Sequence, residues 1–191
     1  LEEGVYDPNI LKAFFLAGGP GSGKSYVVRR TTGGLGMKIV NSDPAFEKLL
    51  KQAGLSLKMP DEEETPRDVI RDRAKAITKK QRGNYVDGRL GMIIDGTGKD
   101  YDKLTGQATE LKQLGYDVHM IFVNTSLDTA LANNQKRDRT VKTSIATNGW
   151  KEVQSNIGKF SQYFRQNFIV VDNNMAGEDV FAKVYKQIMY L

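Results

Sequence analysis

One stretch of this chain carries a complete residue set for holding a polyphosphate. Gly18-Gly19-Pro20-Gly21-Ser22-Gly23-Lys24-Ser25 matches the Walker A spacing Gly-x-x-x-x-Gly-Lys-Ser at every fixed position. Glycine reaches backbone angles closed to other residues, so main-chain amides can come close to a phosphate. A helix that starts at such a loop turns its positive end toward the anion. Lys24 supplies a point charge for the β- and γ-phosphates, and the Ser25 hydroxyl is placed to ligand Mg²⁺. The expected nucleotide contacts are Gly19, Pro20, Gly21, Ser22, Gly23, Lys24, Ser25 and Tyr26. A glycine-rich turn with a chance lysine would show the same pattern. Context separates the two, because a true phosphate loop needs a buried strand before it and a helix after it.

Asp95 is the second candidate. It follows the apolar run Met92-Ile93-Ile94. An acid at the carboxyl end of a core strand beside a P-loop reads as the Walker B residue, which binds Mg²⁺ directly or through water. A turn-initiating Asp before Gly96 is the competing reading. A guanine-reading Asn-Lys-x-Asp is not found. Asn134-Gln135-Lys136-Arg137-Asp138 has one residue too many and falls on an expected helix. The chain is short for an AAA+ motor or a helicase, and an arginine-bearing segment after the fourth strand suits a kinase better. There is no cysteine and one histidine, His119, so thiol chemistry and a His-based metal cluster are excluded. His119 lies within an expected strand and reads as structural.

These groups need a scaffold, and the chain supplies an alternating one. Short apolar runs at 12–17, 37–40, 90–95, 117–124 and 168–172 read as five strands. Helices are expected from the P-loop to about Thr32, and from Asn41-Ser42-Asp43-Pro44 to about Ala53. After an acidic loop at 60–65, a charged helix is expected over 67–82, with Ile70, Ala74 and Ile77 on one face and a break at 83–88. Asp100 caps a helix to Leu114, and Ser126 caps one running into 133–139. A polar segment extends to Gly149, followed by helices over 150–165 and 177–190. Strands alternating with helices predict an α/β fold, a five-stranded parallel sheet sandwiched by helices. The expected organisation is one domain over residues 1–191 with a small lid at about 133–149.

Composition sets the remaining bounds. Of 191 residues, 39% are hydrophobic and 27% charged, which places the chain among folded globular domains. The net charge of +5 suits an anionic substrate such as a nucleotide or a nucleic acid. No apolar run approaches the roughly 20 residues of a bilayer span. Residues 1–10 carry Glu2, Glu3 and Asp7 where a leader's basic region would sit. The expectation is a cytoplasmic protein with no membrane partner.

The P-loop, Asn41-Ser42-Asp43 after the second strand, Ile93-Ile94-Asp95-Gly96-Thr97 after the third, and Lys136-Arg137-Asp138-Arg139 together resemble the zeta-toxin-like P-loop kinases. That group neighbours the kinase domain of phage polynucleotide kinases. The overall look is similar to kinases encoded by tailed phages, which would place the protein in the host cytoplasm. The resemblance covers about residues 11–172 and implies a P-loop NTPase fold of the nucleoside-kinase-like kind, with ATP and Mg²⁺ as cofactors. It implies that Asp43 accepts the proton of the substrate hydroxyl, and that Arg137 and Arg139 reach the transferring phosphate. Chemistry agrees, since transfer to an alcohol needs an acid–base group and charge neutralisation. Asp43-Pro44 is also a good N-cap and N1 pair, and the arginines also suit a solvated face. Two arginines two residues apart cannot both face one site from one helix, so at least one belongs to a loop or only one is catalytic.

The acceptor side is less specific. Thr97 and Lys99 lie just behind the expected metal site, and Arg71 belongs to a basic run from Arg67 to Arg82 that includes Lys75 and Lys79. Such a run holds an anionic acceptor or is simply an exposed face. Phe46, Tyr85 and Tyr101 either stack on a base or pack. Three functions remain open: a kinase for a small-molecule or nucleotide hydroxyl, a polynucleotide kinase acting on a 5′-hydroxyl or hydroxylated base, and a nucleotide-gated interaction module without catalysis.

Overall fold

The computed structural model describes residues 10–32, 35–136, 139, 141–174 and 178–189. Five strands, β1 (Lys12–Ala17), β2 (Lys38–Val40), β3 (Met92–Asp95), β4 (Asp117–Asn124) and β5 (Phe168–Asp172), form one sheet. Its order is β2-β3-β1-β4-β5, and every neighbouring pair is parallel. The helices are α1 (Lys24–Thr31), α2 (Asp43–Gln52), α3 (Glu64–Asp87), α4 (Tyr101–Gln113), α5 (Leu127–Gln135), α6 (Thr143–Phe164) and α7 (Glu178–Met189).

Side chains alternate across a strand, so each strand feeds two cores. Phe14 and Leu16 join Ile93, Ile121 and Val171 on the face covered by α1 and α7, through Val27, Phe181 and Ile188. Ala13, Phe15 and Ala17 join Met92, Met120 and Phe122 on the face covered by α4 and α6, through Leu111, Val153 and Phe160. Both faces being covered explains why β1 and β4 read as nearly unbroken apolar runs. A third cluster, Phe46, Leu50 and Ala74, binds α2 to α3 beyond the β2 edge.

The five expected strands are all present. Several helix expectations are corrected. Asp61–Glu63 is a 3₁₀ turn rather than loop, and α3 starts directly after it at Glu64. Nor does α3 stop at Gly83. A side chain there would meet nothing, Tyr85 and Val86 beyond it pack on the core, and an interior glycine costs only about 1 kcal/mol. The apolar face of α3 is also narrower than its spacing implied. Ile70 and Ala74 meet α2, but Ile77 is 46% exposed.

The connection before β5 differs most. α5 ends at Gln135 instead of running on, and α6 starts at Thr143 rather than Trp150. Gly149 lies inside that helix. A Cβ on it would sit 3.4 Å from Pro20 Cδ, an ordinary contact, so α6 runs through this glycine beside the phosphate loop rather than starting after it.

Candidate active site

The carboxyl ends of β1, β2 and β3 carry the expected site residues. This is where open α/β sheets place ligands. β1 leads into the P-loop, and α1 opens at Lys24 with Gly23 as its N-cap at φ +83°. Strand, loop and helix thus appear in the order the motif requires. Gly21 sits at φ +78°, and a Cβ there would lie 1.9 Å from the Ala130 carbonyl oxygen. Only glycine fits.

Side chains hold the loop from outside. Lys24 Nζ donates to Gly18 O at 2.7 Å and Gly19 O at 3.3 Å. Asn133 Nδ2 donates to Gly21 O at 3.0 Å, and Asn173 Nδ2 to Ser22 O at 2.9 Å. Four loop carbonyls, which would repel a phosphate, are therefore occupied by donors. Gly19 packs beneath Trp150, whose indole donates to Thr125 O at 2.9 Å.

A second cluster is centred on Asn41. Its Nδ2 donates to Asp95 Oδ2 at 2.8 Å, while its Oδ1 accepts the Asp43 amide at 2.8 Å. One amide side chain thus ties the ends of β2 and β3 together. Ser42, not Asp43, is the N-cap of α2, with no side-chain cap bond, and Pro44 follows Asp43 in the first turn. The Asp43 carboxylate instead pairs with Arg139 Nη2, and Arg139 Nε reaches Glu47 Oε1 at 3.0 Å. Arg139 stands off the helix, consistent with the spacing argument, whereas Arg137 lies outside the described residues.

These groups line a cavity of about 920 Å³. Lys24, Ser25, Asp43, Asp95 and Arg139 share its wall with Pro20, Gly21, Ser22, Gly23, Tyr26 and Arg71. Gly19 is not on that lining. A second cavity, of about 600 Å³, lies between α3 and the start of α4 and is lined by Lys99 among others. Ser42, Asp95, Gly96 and Thr97 line both cavities, so the two meet at the end of β3. Arg71 faces the first cavity, not the second, and its guanidinium stacks 4.4 Å over the Phe46 ring.

The aromatic candidates pack. Phe46 is 2% exposed, Tyr101 lies 5.2 Å from the Phe160 ring, and Tyr85 rests on the core. His119 is buried in β4, stacks 5.1 Å from Phe14 and bonds Asp117 Oδ2 at 2.7 Å. Burial pushes its pKa down, more than the Asp117 contact raises it. Sequence reasoning missed the bracing amides Asn133 and Asn173, and gave Asn41 no role of its own. Their one legible signal is that Asn41 and Asn173 each follow a strand directly.

A family model described as an AAA domain matches residues 14–159. The chain belongs to that family. Within it the P-loop and the five parallel strands make a P-loop, kinase-like fold. Solved structures agree at low identity. Deoxyadenosine kinase from M. mycoides with bound dATP is 20% identical at TM-score 0.55, over 93% of this chain and 98% of that one. Shikimate kinase from Acinetobacter baumannii is 17% identical at TM-score 0.52, over 94% and 93%. A chain of the PezAT toxin–antitoxin system of Streptococcus pneumoniae is 16% identical at TM-score 0.61, over 94% and 82%. At such identities the likeness establishes the fold alone. No curated protein matches the sequence. No helix among the described residues is long and apolar enough to cross a membrane.

Proposed function

We propose that this chain is an ATP- and Mg²⁺-dependent phosphotransferase that moves the γ-phosphate to a hydroxyl of a small-molecule or nucleotide acceptor. One observation carries the reading. Lys24, Asp43, Asp95 and Arg139 line one cavity, which meets a second cavity at Ser42, Asp95, Gly96 and Thr97. A donor compartment that opens onto a separate acceptor compartment is what phosphoryl transfer between two bound molecules requires. A module that only senses nucleotide needs no second compartment.

In this reading the P-loop amides and Lys24 hold the triphosphate, with Tyr26 beside them. The acceptor hydroxyl oxygen forms a bond to the γ-phosphorus, the bond from that phosphorus to the β,γ-bridging oxygen breaks, and ADP leaves. Asp43 orients the hydroxyl and takes its proton. Arg139 neutralises charge on the transferring group, exchanging its carboxylate partners for phosphate oxygens. The residues also fit a metal. Among the described residues no three carboxylates or histidines cluster, whereas Ser25 and Asp95 line the same cavity. One or two protein oxygens, completed by phosphate and water, are the usual donor set for Mg²⁺. Bound there, the ion would neutralise the β- and γ-phosphate oxygens. The segment at about 133–149, which carries Arg139, would serve as the lid, as in the zeta-toxin-like kinases whose motifs the chain resembles.

The direct test is transfer of radiolabelled γ-phosphate from ATP to pooled nucleosides, sugar nucleotides and DNA oligonucleotides. Labelled product is expected, and Lys24→Ala should reduce it at least about 100-fold. Tight ATP binding with no labelled product would favour the nucleotide-gated module instead.

A further inference from the structure

The second cavity is walled by an unusual excess of positive charge. Lys75, Lys79 and Arg82 lie at i, i+4 and i+7 on α3, so they share one face. Lys99 and Lys103 face them from the loop before α4 and from its first turn. Against these five cations the lining offers two acids, Asp95 and Asp100. Asp95 is engaged by Asn41, and Asp100 caps α4 through the Lys103 amide at 3.0 Å.

The cations are only partly satisfied. Lys75 pairs with Asp72, Lys99 with Glu152 and Arg82 with Glu110, through contacts of 2.8–3.0 Å that are largely solvent-exposed on the acid side. Lys79 and Lys103 have no acid partner among the described residues. Arg82 Nε is buried without any hydrogen-bond acceptor. Five lining cations against two engaged acids, with two ammonium groups that lack an acid partner, point to an anion as the missing partner.

We infer that this cavity binds a small hydroxyl acceptor that already carries a phosphate group, held by Lys79, Lys103 and Arg82 while its hydroxyl faces the donor cavity across Thr97. The volume of about 600 Å³ is enough for a nucleotide or sugar phosphate. Gln107 and Thr78 on the same walls supply neutral hydrogen-bonding groups for the rest of such a molecule. This rests on the kinase reading above. It differs from it in naming the acceptor's charge.

The experiment compares matched pairs of acceptors with labelled ATP: adenosine 3′-monophosphate against adenosine, glucose 6-phosphate against glucose, and a 5′-hydroxyl DNA oligonucleotide as a third arm. In at least one pair the phosphorylated member should be used with kcat/KM about tenfold or more above its neutral partner. Lys79→Ala/Lys103→Ala should erase that preference through KM, with ATP affinity unchanged. Both lysines are exposed, so the double variant retains the core. Equal use of charged and neutral partners would overturn this inference while leaving the kinase reading intact. Preference for the oligonucleotide, with steep salt dependence, would also overturn it and favour a polynucleotide substrate. No transfer to any member would overturn this inference, and the pooled acceptor assay then decides the kinase reading separately.

Discussion

The two cavities are built from different materials. The phosphate loop of the first cavity is main chain, bent by glycines and braced by short amides, with Asn133 and Asn173 each fixing one carbonyl. The second cavity is walled by long side chains from α3, α4 and the loop before α4, and Lys79 and Lys103 are exposed there. A backbone cradle recognises what every nucleoside triphosphate shares and tolerates little change. A wall of lysines can be rewritten by a few substitutions without disturbing the fold. Fold alone therefore does not name the acceptor.

The largest effect should come in the first cavity, one residue from its junction with the second at Ser42. Asp43→Asn keeps the shape of the side chain but removes the proposed proton acceptor. Transfer should fall about 10²- to 10⁴-fold in kcat, while ATP affinity, read by equilibrium dialysis, stays within a few-fold. The Ser42 cap position and Pro44 are untouched, so α2 should remain folded. Full activity in this variant would remove Asp43 from the chemistry and leave the carboxylate as a tether for Arg139.

The rigidity of the donor side can be tested by adding one methyl group. In Gly21→Ala the new Cβ would be forced against the Ala130 carbonyl oxygen at a backbone angle of φ +78°. The strained angle alone costs about 1–3 kcal/mol, and the clash adds to it. Urea unfolding should show that loss, and ATP binding should weaken with it. Gly158→Ala is the control. It lies in α6, a side chain there would meet nothing, and replacement should stabilise by about 0.5–1 kcal/mol. Equal stability of the two variants would mean that the loop is not locked in the way its contacts imply.

How far the sequence reveals this arrangement depends on the range of the interaction. β1 and β4 are legible because burial on both faces writes a local signal, a run of apolar residues. The P-loop is legible because its demands fall on neighbouring residues. Gly21, however, is a free position of the motif, and its necessity comes from Ala130 across the fold. Gly83 reads as a helix break and Gly149 as the end of a polar segment because propensity is local, while the contacts that carry α3 and α6 through them are not. Asn41 is beyond local reading for the same reason, since its partner Asp95 is 54 residues away. The cationic wall needs α3 and α4 to be brought together before Lys79 and Lys103 can be counted as neighbours.

The smallest effect separates the cavities from the core beneath them. His119 lines neither cavity, and burial holds its pKa below the usual histidine range. Above about pH 6.5 the ring is neutral both folded and unfolded, so pH has no leverage through it. Below that value the unfolded chain takes up a proton that the folded chain refuses. Stability should therefore fall as the pH drops from about 6.5 toward the lower folded pKa, by at most about 1.4 kcal/mol per pH unit. Urea denaturation of the wild type and His119→Phe at about pH 7.5 and 5.5 isolates this component, because the variant keeps the ring on Phe14 but cannot titrate. The wild type should lose more stability between the two conditions than the variant does. Since the ring touches neither compartment, KM values for ATP and acceptor should shift equally in both proteins. A variant that changed those KM values with pH while unfolding like the wild type would mean that β4 transmits its protonation to the cavities, and that the donor side is less rigid than its bracing indicates.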